Sequence, residues 1–438
     1  MPRLTRSGGL IARVRLGGGL AVGQFVGRGA LALALLLLVR YLPPTEFATL
    51  ALTLAILSIM STFADAGFAR LLVRDTARAG AASHHVVSEL LRVRLRAVAG
   101  AAVGAALILA WGPGHVSASF VALASAYLVS ESIAFGYENA AAGAERPLRF
   151  VAAQGLSALW MLGGLAWLIG TDGVSLPSAM AVLASASLLK AGAHVAAWRG
   201  GSSAALSEEP VRTAAELFRE ALPFLGLAVL AAVYYRVGVI ALYSLRGPSE
   251  TASFAAASRV VDAVAVIAAV TFLSASPGFS RMHRDHPERI WSTWRRKAGL
   301  TAVVAAPVAV LVGLAAEPIC AGLFGEAYRS SAADDLRLML PGAALMVVQG
   351  ISGAVVFMSD DYGAVVRLTV VNVTACVALT FGLSAGLGSQ GAALALTLAE
   401  VLSVITFALL IRRRHRATAA DAVVDCRPCA TTIDRSAS

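Results

Sequence analysis

The chain has 438 residues, of which 58% are hydrophobic and only 14% are charged. A soluble core does not need so much apolar sequence, so the composition excludes an ordinary globular enzyme or binding module. The formal net charge is +10, but the basic residues lie in loops and tails on one side of the apolar segments, where anionic lipid attracts them. We therefore expect membrane lipid, and no nucleic acid, as a partner.

Twelve apolar segments run from about residue 17 to residue 411. Each is close to the roughly 20 residues that cross a bilayer core of about 30 Å. Backbone polar groups find no water in a bilayer, so each segment should be a helix. The predicted spans are 17–39, 47–69, 94–112, 116–137, 149–169, 175–197, 221–243, 251–274, 299–316, 338–358, 364–385 and 390–411. The sequence predicts an all-α integral membrane protein.

The distribution of basic residues predicts the orientation of these spans. Most of the 36 basic residues fall on one side, including the loop stretch that begins at Lys190. The opposite side holds Arg40, Arg246, Arg329 and Arg337. The side rich in basic residues faces the cytoplasm in such proteins. We therefore expect a multi-pass protein of the cytoplasmic (inner) membrane with both termini inside.

A polar stretch divides the spans into two groups of six. We expect an N-terminal six-helix bundle over 1–199, a cytoplasmic linker over 200–220, a C-terminal six-helix bundle over 221–416, and a disordered cytoplasmic tail over 417–438. The tail contains Cys426 and Cys429 in one Cys-x-x-Cys pair, which is at best half of a zinc site.

A short sequence similarity between the two halves favours an internal duplication. The sequence Pro-Thr-Glu-Phe-Ala over 44–48 opens the second span, and Pro-Ser-Glu-Thr-Ala over 248–252 opens the eighth. Six spans per half would make the halves parallel repeats, and transporters of that kind bind substrate at the repeat interface.

Three stretches resemble a known family. Residues 63–75 read Phe-Ala-Asp-Ala-Gly-Phe-Ala-Arg-Leu-Leu-Val-Arg-Asp, residues 234–237 read Tyr-Tyr-Arg-Val with 254–262 following, and residues 323–328 read Leu-Phe-Gly-Glu-Ala-Tyr. Their order and positions resemble the polysaccharide-exporter (Wzx-type) branch of the multidrug/oligosaccharidyl-lipid/polysaccharide (MOP) flippase superfamily. The resemblance covers nearly the whole chain. Two positions depart from it: Gly238 replaces a frequent acid, and Phe254 replaces a frequent tyrosine.

The resemblance implies a fold and a task. The fold would be two six-helix bundles that form a V around a central cavity. The task would be to move polyprenyl-diphosphate-linked oligosaccharide from the cytoplasmic to the outer leaflet, for cell-surface polysaccharide such as lipopolysaccharide or exopolysaccharide. Glycan polymerase and glycosyltransferases would be its partners, and it would need no cofactor and no metal.

Three arginines lie inside predicted spans, namely Arg28, Arg236 and Arg259. An arginine within the bilayer costs at least a few kcal/mol, so it normally faces a cavity or a partner. Guanidinium groups also clamp phosphate oxygens bidentately. We therefore expect these arginines to bind the substrate diphosphate. The alternatives are that Arg259 pairs with Asp262 on the same helix face, and that Arg236 snorkels to the interface.

Four acids are candidates for ion coupling or for structural roles: Asp65, Glu131, Asp262 and Glu400. Asp65 lies near Arg70 and Arg74 and is a candidate structural acid of the loop. Glu131 and Glu400 are more isolated, and each could carry a coupling proton or make a helix-packing hydrogen bond.

Two rival functions differ in the residues that they need. A multidrug/cation antiporter of the same superfamily would favour acids over arginines in its cavity, because its cargo is usually cationic. A membrane glycosyltransferase or polymerase would need a substantial outer catalytic loop, and the longest outer loop, over 317–337, has no histidine. We expect a transporter and no catalytic residues.

Overall fold

The computed structural model describes residues 6–79, 83–112, 114, 116–144, 147–199, 214–359 and 362–425. These residues form helices with short connections, and no strand occurs among them. The helices are α1 Arg6–Tyr41, α2 Pro44–Asp65, α3 Phe68–Ala79, α4 Ser83–Trp111, α5 Ala118–Gly143, α6 Pro147–Gly170, α7 Leu176–Arg199, α8 Ala214–Arg246, α9 Pro248–Asp285, α10 Ile290–Leu314, α11 Ala316–Phe324, α12 Ser331–Phe357 and α13 Tyr362–Asp425.

Among the described residues, eleven helices are long and apolar enough to cross a membrane. The last of these segments, Gly363–Arg416, has 54 residues, which is more than twice the length that one crossing needs. It contains both of the last two predicted spans, 364–385 and 390–411. The prediction of an all-α membrane protein is confirmed.

Helix α13 is a hairpin of two arms joined at Gly388. In a straight helix Asn372 and Thr406 would be about 50 Å apart at 1.5 Å per residue. Instead the Asn372 side-chain amide donates a hydrogen bond to Thr406 Oγ1 at 3.1 Å. The chain therefore reverses between them, at Gly388, where φ is 62° and ψ is −136°. A side chain is strongly disfavoured in this conformation. The two arms account for the eleventh and twelfth spans.

The chain forms two compact units. The first contains Met1–Ala256 with Leu323–Gly325, and the second contains Ala257–Gly322 with Glu326–Ser438. These units do not coincide with the bundles predicted over 1–199 and 221–416, because α8 belongs to the first unit. Much of the predicted linker, residues 200–213, lies outside the described residues. The division into two six-helix bundles around a central cavity stays a prediction.

The predicted disordered tail begins too early. Helix α13 continues to Asp425, so residues 417–425 are helical. The reason is that this stretch is rich in alanine, which has the highest helix propensity. Residues 426–438, with Cys426 and Cys429, lie outside the described residues.

The motif after the second span is explained by a turn between α2 and α3. Ala66 and Gly67 have positive φ values of 49° and 82°, which end α2 as a left-handed cap. A Cβ at Gly67 would collide with the carbonyl oxygen of Ala221 in α8. The turn also buries Phe68, which is fully inaccessible to solvent. Glycine is therefore required here for conformation and for the close approach of α8.

Helix α3 is amphipathic, and one of its faces packs on other helices of the first unit. Phe68, Leu71 and Leu72 are buried and belong to a cluster with Leu90 of α4 and Leu217 of α8. Spacings of three and four residues place such side chains on one face of a helix.

An ion-pair network lies at the end of the first unit that faces the cytoplasm in the predicted topology. Arg74 contacts Asp75 at 2.7 Å and Glu220 of α8 at 2.5 Å. Hydrogen bonding to Asp75, and then to Glu220, raises the pKa of the Arg74 guanidinium. The network ties α3 to α8.

The second unit has a core built by α9, α10, α12 and α13. Phe279, Trp294, Ile351 and Phe407 are among its buried members. Trp294 donates its indole hydrogen to Ser352 Oγ at 3.1 Å, so the polar edge of this aromatic ring is satisfied inside the core.

Replacing Gly388 by alanine should destabilise the protein. The φ of 62° is strained for a residue with a Cβ, at a cost of about 1–3 kcal/mol. Gly388→Ala should therefore lower the midpoint of thermal unfolding in detergent. Gly382→Ala is the matched control, because a Cβ there meets nothing within 4 Å and the position is helical. Equal midpoints for the two variants would contradict the hairpin geometry.

Candidate functional site

A polar pocket lies inside the first unit among α1, α5, α6 and α7. We name it the first-unit pocket; its volume is about 280 Å³. Each helix supplies four residues that lie on one of its faces over two or three successive turns. The lining residues are Gln24, Gly27, Arg28 and Leu31 from α1; Tyr127, Glu131, Phe135 and Glu138 from α5; Gln154, Ser157, Ala158 and Met161 from α6; and Leu183, Ala186, Ser187 and Lys190 from α7.

Glycines bring α1 close to α6 and so place the pocket. A Cβ at Gly23 would collide with the Phe150 ring, and a Cβ at Gly27 would collide with the Gln154 side-chain amide. Small residues four apart let membrane helices approach closely. The approach places Arg28, the residue after Gly27, on the pocket wall.

The centre of the pocket is an ion cluster on α5 and α7. Lys190 Nζ lies 2.5 Å from Glu131 Oε1 and 3.6 Å from Glu138 Oε1. Ser187 donates to Glu131 Oε2 at 2.8 Å, and Gln154 donates to Glu138 Oε1 at 2.5 Å. A buried charge is costly unless it is paired and hydrogen-bonded, and this cluster meets both conditions.

His194 lies one turn beyond Lys190 on α7 and borders this cluster. Its Nε2 is 3.8 Å from Glu138 Oε1, and its ring packs against Phe150 with centroids 5.8 Å apart. The side chain is 3% exposed. The cluster is therefore bordered on this side by a buried imidazole ring.

Arg28 differs from Lys190 because it has no partner among the residues that the structure describes. It lines the pocket, is exposed, and makes no hydrogen bond or ion pair with another residue of the described chain. A guanidinium held in a pocket without a carboxylate partner has all five donors available for an anion. Of the three predicted substrate arginines, Arg28 is the one that lines this pocket.

Arg236 of α8 is half-buried and lies within electrostatic range of Tyr127. Tyr127 also interacts electrostatically with Glu131. Arg236 is not a lining residue of the pocket, but its charge acts on the same tyrosine. The structure thus brings Arg28 and Glu131 together in one pocket and places Arg236 near one of its walls.

Arg259 lies in the second unit and forms the pair that the helix spacing predicts. Its Nη1 lies 3.2 Å from Asp262 Oδ2. The Arg259 side chain is 12% exposed and that of Asp262 is 46% exposed. Part of the Arg259 charge is therefore compensated by its own helix, and substrate binding by Arg259 stays a prediction.

Glu400 is buried in the second unit, on the second arm of α13, and is 2% exposed. It interacts electrostatically with Cys376 on the first arm. It is separate from the first-unit pocket, and its role in ion coupling stays a prediction.

Asp65 pairs with an arginine of α4, and not with Arg74. The expected neighbour Arg74 pairs with Asp75 and Glu220, as described above, and the side chain of Arg70 lies outside the described residues. Asp65 Oδ1 lies 3.4 Å from Arg94 Nε of α4, and Asp65 Oδ2 accepts a hydrogen bond from the Ala69 backbone at 3.3 Å.

Arg94 is the largest side chain that is fully buried, at 1% exposure. Its Nη1 donates to the carbonyl oxygen of Ser132 in α5 at 2.5 Å, and its guanidinium lies 5.8 Å from the centroid of the Phe135 ring. A Cβ at Gly136 would come within 2.5 Å of Arg94 Nη1. Gly136 therefore makes room for an arginine that joins α2, α4 and α5.

The sequence pattern does not predict three members of the site, namely Lys190, His194 and Glu138. Lys190 is grouped there with the basic residues of the cytoplasmic side, yet it lies within the span Leu176–Trp198 and is 8% exposed. His194 is not among the predicted site residues. Glu138 lay beyond the predicted end of its span at 137, whereas the helix runs to Gly143. A usable signal was present, since Glu131 and Glu138 are two turns apart on one face.

No cluster of three or more His, Cys, Asp or Glu side chains within the described residues is placed to hold a metal ion.

Solved membrane transporters share this fold. A multidrug resistance MATE family transporter of the MOP superfamily, in an inward-facing conformation, matches with a TM-score of 0.72 at 16% identity, over 92% of this chain and 98% of that chain. The lipid II flippase MurJ, in an inward closed conformation, matches with a TM-score of 0.70 at 11% identity, over 92% and 90%. A MOP superfamily transporter from Pyrococcus furiosus, described as having a binding pocket of reverse polarity, matches with a TM-score of 0.63 at 15% identity, over 93% and 96%.

The chain thus has the same fold as these solved transporters. A family model described as polysaccharide biosynthesis protein matches residues 17–283. The chain belongs to this polysaccharide biosynthesis protein family. No curated protein sequence matches it.

Removing Arg94 should destabilise the first unit. Arg94→Met leaves Asp65 and the Ser132 carbonyl without their buried partner, which typically costs about 3–5 kcal/mol. The midpoint of thermal unfolding in detergent should fall, together with the amount of protein in the membrane. Arg92→Met, on the same helix at an exposed position, should change the midpoint little. A midpoint for Arg94→Met equal to that of Arg92→Met would contradict this role.

Proposed function

We propose that this chain is a secondary flippase of the Wzx type, which moves polyprenyl-diphosphate-linked oligosaccharide across the cytoplasmic membrane for cell-surface polysaccharide biosynthesis. Membership of the polysaccharide biosynthesis protein family supports the process. The observation that carries the substrate class is Arg28, an arginine within a membrane span that lines a polar pocket without a partner in the described chain.

The pocket suits the diphosphate part of such a substrate. Arg28 can bind two phosphate oxygens at once through its planar fork. The neutral lining side chains, Gln24, Gln154 and Ser157, supply amide and hydroxyl groups for the remaining oxygens or for the first sugar. A volume of about 280 Å³ is at the small end for ligand sites. It suits a head group and not a whole oligosaccharide, and the polyprenyl tail would stay in lipid.

The membrane potential can drive the proposed outward movement of the substrate. One elementary charge that crosses the bilayer gains about 2.3 kcal/mol per 100 mV. A diphosphate with two negative charges, moving outward from an inside-negative cytoplasm, would thus gain about 4.6 kcal/mol per 100 mV. An ion gradient is the other candidate. Rocking of two halves about a site would provide alternating access.

A second candidate function is a multidrug/cation antiporter. Glu131 and Glu138 in the first-unit pocket favour it, because carboxylates attract a cationic cargo. Lys190 opposes it, since its ammonium lies 2.5 Å from one carboxylate and 3.6 Å from the other. We propose transport in preference to a glycosyltransferase or polymerase activity because the acids of the pocket are paired with Lys190, while Arg28 remains available to bind an anion.

The proposed orientation and partners follow from the sequence. Both termini would be cytoplasmic, and glycosyltransferases and a glycan polymerase would supply and consume the substrate. The topology can be tested with single cysteines in a variant that lacks the four native ones. Cysteines at 203 and 286 should be labelled by an impermeant maleimide only after the cells are opened. Labelling of either position in intact cells would contradict the orientation.

Loss of Arg28 should abolish glycan export while the protein accumulates normally. Arg28→Ala removes a guanidinium that holds no other part of the described chain together, so folding should be spared. Arg236→Ala should also reduce export, and Lys at position 28 should rescue only in part because the planar fork is lost. The measurement is complementation of a flippase-deficient strain, with immunoblots of membranes.

Arg284→Ala is the control for this experiment. Arg284 is 77% exposed and pairs with its neighbour Asp285, so its removal should leave export intact. Full export by the double variant Arg28→Ala, Arg236→Ala would refute the diphosphate role of these arginines. Uptake or efflux of cationic dyes by the unmodified protein, without glycan export, would favour the antiporter.

A further inference from the structure

The ion cluster of the first-unit pocket has the composition of a monovalent cation site. Two carboxylates, from Glu131 and Glu138, point at one position between α5 and α7. That position holds the ammonium group of Lys190, with oxygen atoms at 2.5 and 3.6 Å. Hydrogen bonds from Ser187 and Gln154 fix both carboxylates in place. The arrangement is rigid before any ligand arrives.

An unpaired carboxylate pair could not persist at this depth. A charged carboxylate inside the bilayer is costly, and two close together repel each other as well. A transporter can neutralise such a pair with a bound sodium ion, with protons, or with a basic side chain. The structure shows the third solution.

We propose that Lys190 is a tethered counter-ion, whose ammonium group occupies a latent binding site for a small monovalent cation formed by Glu131 and Glu138. The first unit would therefore need neither a sodium ion nor a proton to neutralise its carboxylates. For the proposed flippase, this means that the first-unit pocket does not bind the coupling ion. The meaning for transport rests on the proposed function, whereas the test below does not.

Other titratable groups face this cluster and must be considered. They are Arg28 of α1, Tyr127 of α5 and His194 of α7, while α6 contributes the neutral Gln154 and Ser157. Arg236 of α8 acts on Tyr127. Among them His194 lies beside one of the carboxylates, with its Nε2 3.8 Å from Glu138 Oε1.

Removing the tether should turn the latent site into a real one. Lys190→Ala deletes a chain of three methylenes with its ammonium, and leaves both carboxylates and their hydrogen-bond donors in place. The variant should then bind a cation that replaces the deleted ammonium group. The candidates are a sodium ion, propylammonium, which matches the deleted group in length, and protons.

The test uses the purified full-length protein in detergent and measures the midpoint of thermal unfolding. A ligand that binds only the folded state raises this midpoint. The midpoint of Lys190→Ala should rise by about 1–2 °C when 150 mM sodium or propylammonium chloride replaces choline chloride at pH 8, the size of shift expected for modest stabilisation of a chain this long. Equal ionic strength removes screening as a cause.

The unmodified protein should show no such response at the same salt concentrations. Lys190→Arg, which keeps a tethered cation, should behave like the unmodified protein. Lys190→Ala, Glu131→Gln should lose the response, because one of the two carboxylates is gone. His194→Gln in the Lys190→Ala background should leave the sodium response in place, because the two carboxylates form the site.

Two results would overturn the proposal. One is a response of the unmodified protein as large as that of Lys190→Ala. The other is a folded Lys190→Ala that responds to none of the three ligands. Where Lys190→Ala does not fold, Lys190→Gln replaces it, since its amide still donates to a carboxylate; a Lys190→Gln variant without any response would count equally against the proposal. Glycan export by the unmodified protein is measured separately, so failure of this proposal is distinguishable from failure of the flippase function.

Discussion

Every charge that enters the apolar spans must be compensated inside the protein. Lipid offers no hydrogen bonds, so an ionised side chain there needs a partner or a water-lined pocket. In the first unit, the central such interaction joins Lys190 to Glu131 and Glu138. The Lys190 Nζ lies 2.5 Å from Glu131 Oε1 and 3.6 Å from Glu138 Oε1. This interaction holds α5 and α7 together, and with α1 and α6 these helices form the pocket.

The remaining polar contacts of the first unit follow the same constraint. Arg94 joins α4 to α2 through Asp65 and to α5 through the Ser132 carbonyl. At the other end Glu46 of α2 accepts a hydrogen bond from the Leu176 backbone, at the start of α7, at 2.6 Å. Each contact replaces water that the bilayer does not supply, and each fixes one helix against another. Arg28 stands apart because it has no such contact with a described residue, which is why we propose that it binds substrate.

Hydroxyl groups also join helices in the second unit. Thr397, on the second arm of α13, donates to the Leu338 carbonyl at 2.6 Å and accepts from the Gly342 backbone at 3.2 Å. A Cβ at Gly342 would come within 2.9 Å of the Thr397 backbone. Close helix packing at a small residue, with a hydroxyl across the interface, is typical of membrane helices.

Much of the fold could be predicted because the bilayer imposes simple rules. The length of the apolar segments predicts helices at the observed places, and even the α13 hairpin follows from two apolar runs separated by a few residues around Gly388. The spacing of Arg259 and Asp262 predicts their contact, since it depends on one helix alone. These features are local, and local features are readable from sequence.

The candidate site was only partly predictable, for a physical reason. Arg28 and Glu131 attract attention because they are charges in the middle of apolar runs. Lys190, Glu138 and Arg94 lie nearer to the ends of their spans, where the same residues also occur in loops that face water. Their burial depends on which helices pack together, and on glycines such as Gly27 and Gly136 that allow the approach. That information is tertiary and is not contained in the hydropathy of any single segment.

The most direct test of the central claim is a flipping assay with the purified protein in liposomes. Radiolabelled polyprenyl-diphosphate-linked oligosaccharide is placed in both leaflets, and an added impermeant glycosidase reports the fraction that reaches the outer leaflet. Under a membrane potential that drives anions toward the enzyme, we predict faster and more complete access with the unmodified protein than in protein-free liposomes. Access at the protein-free rate, for liposomes that contain folded protein, would contradict the claim that this chain is a flippase for lipid-linked glycans.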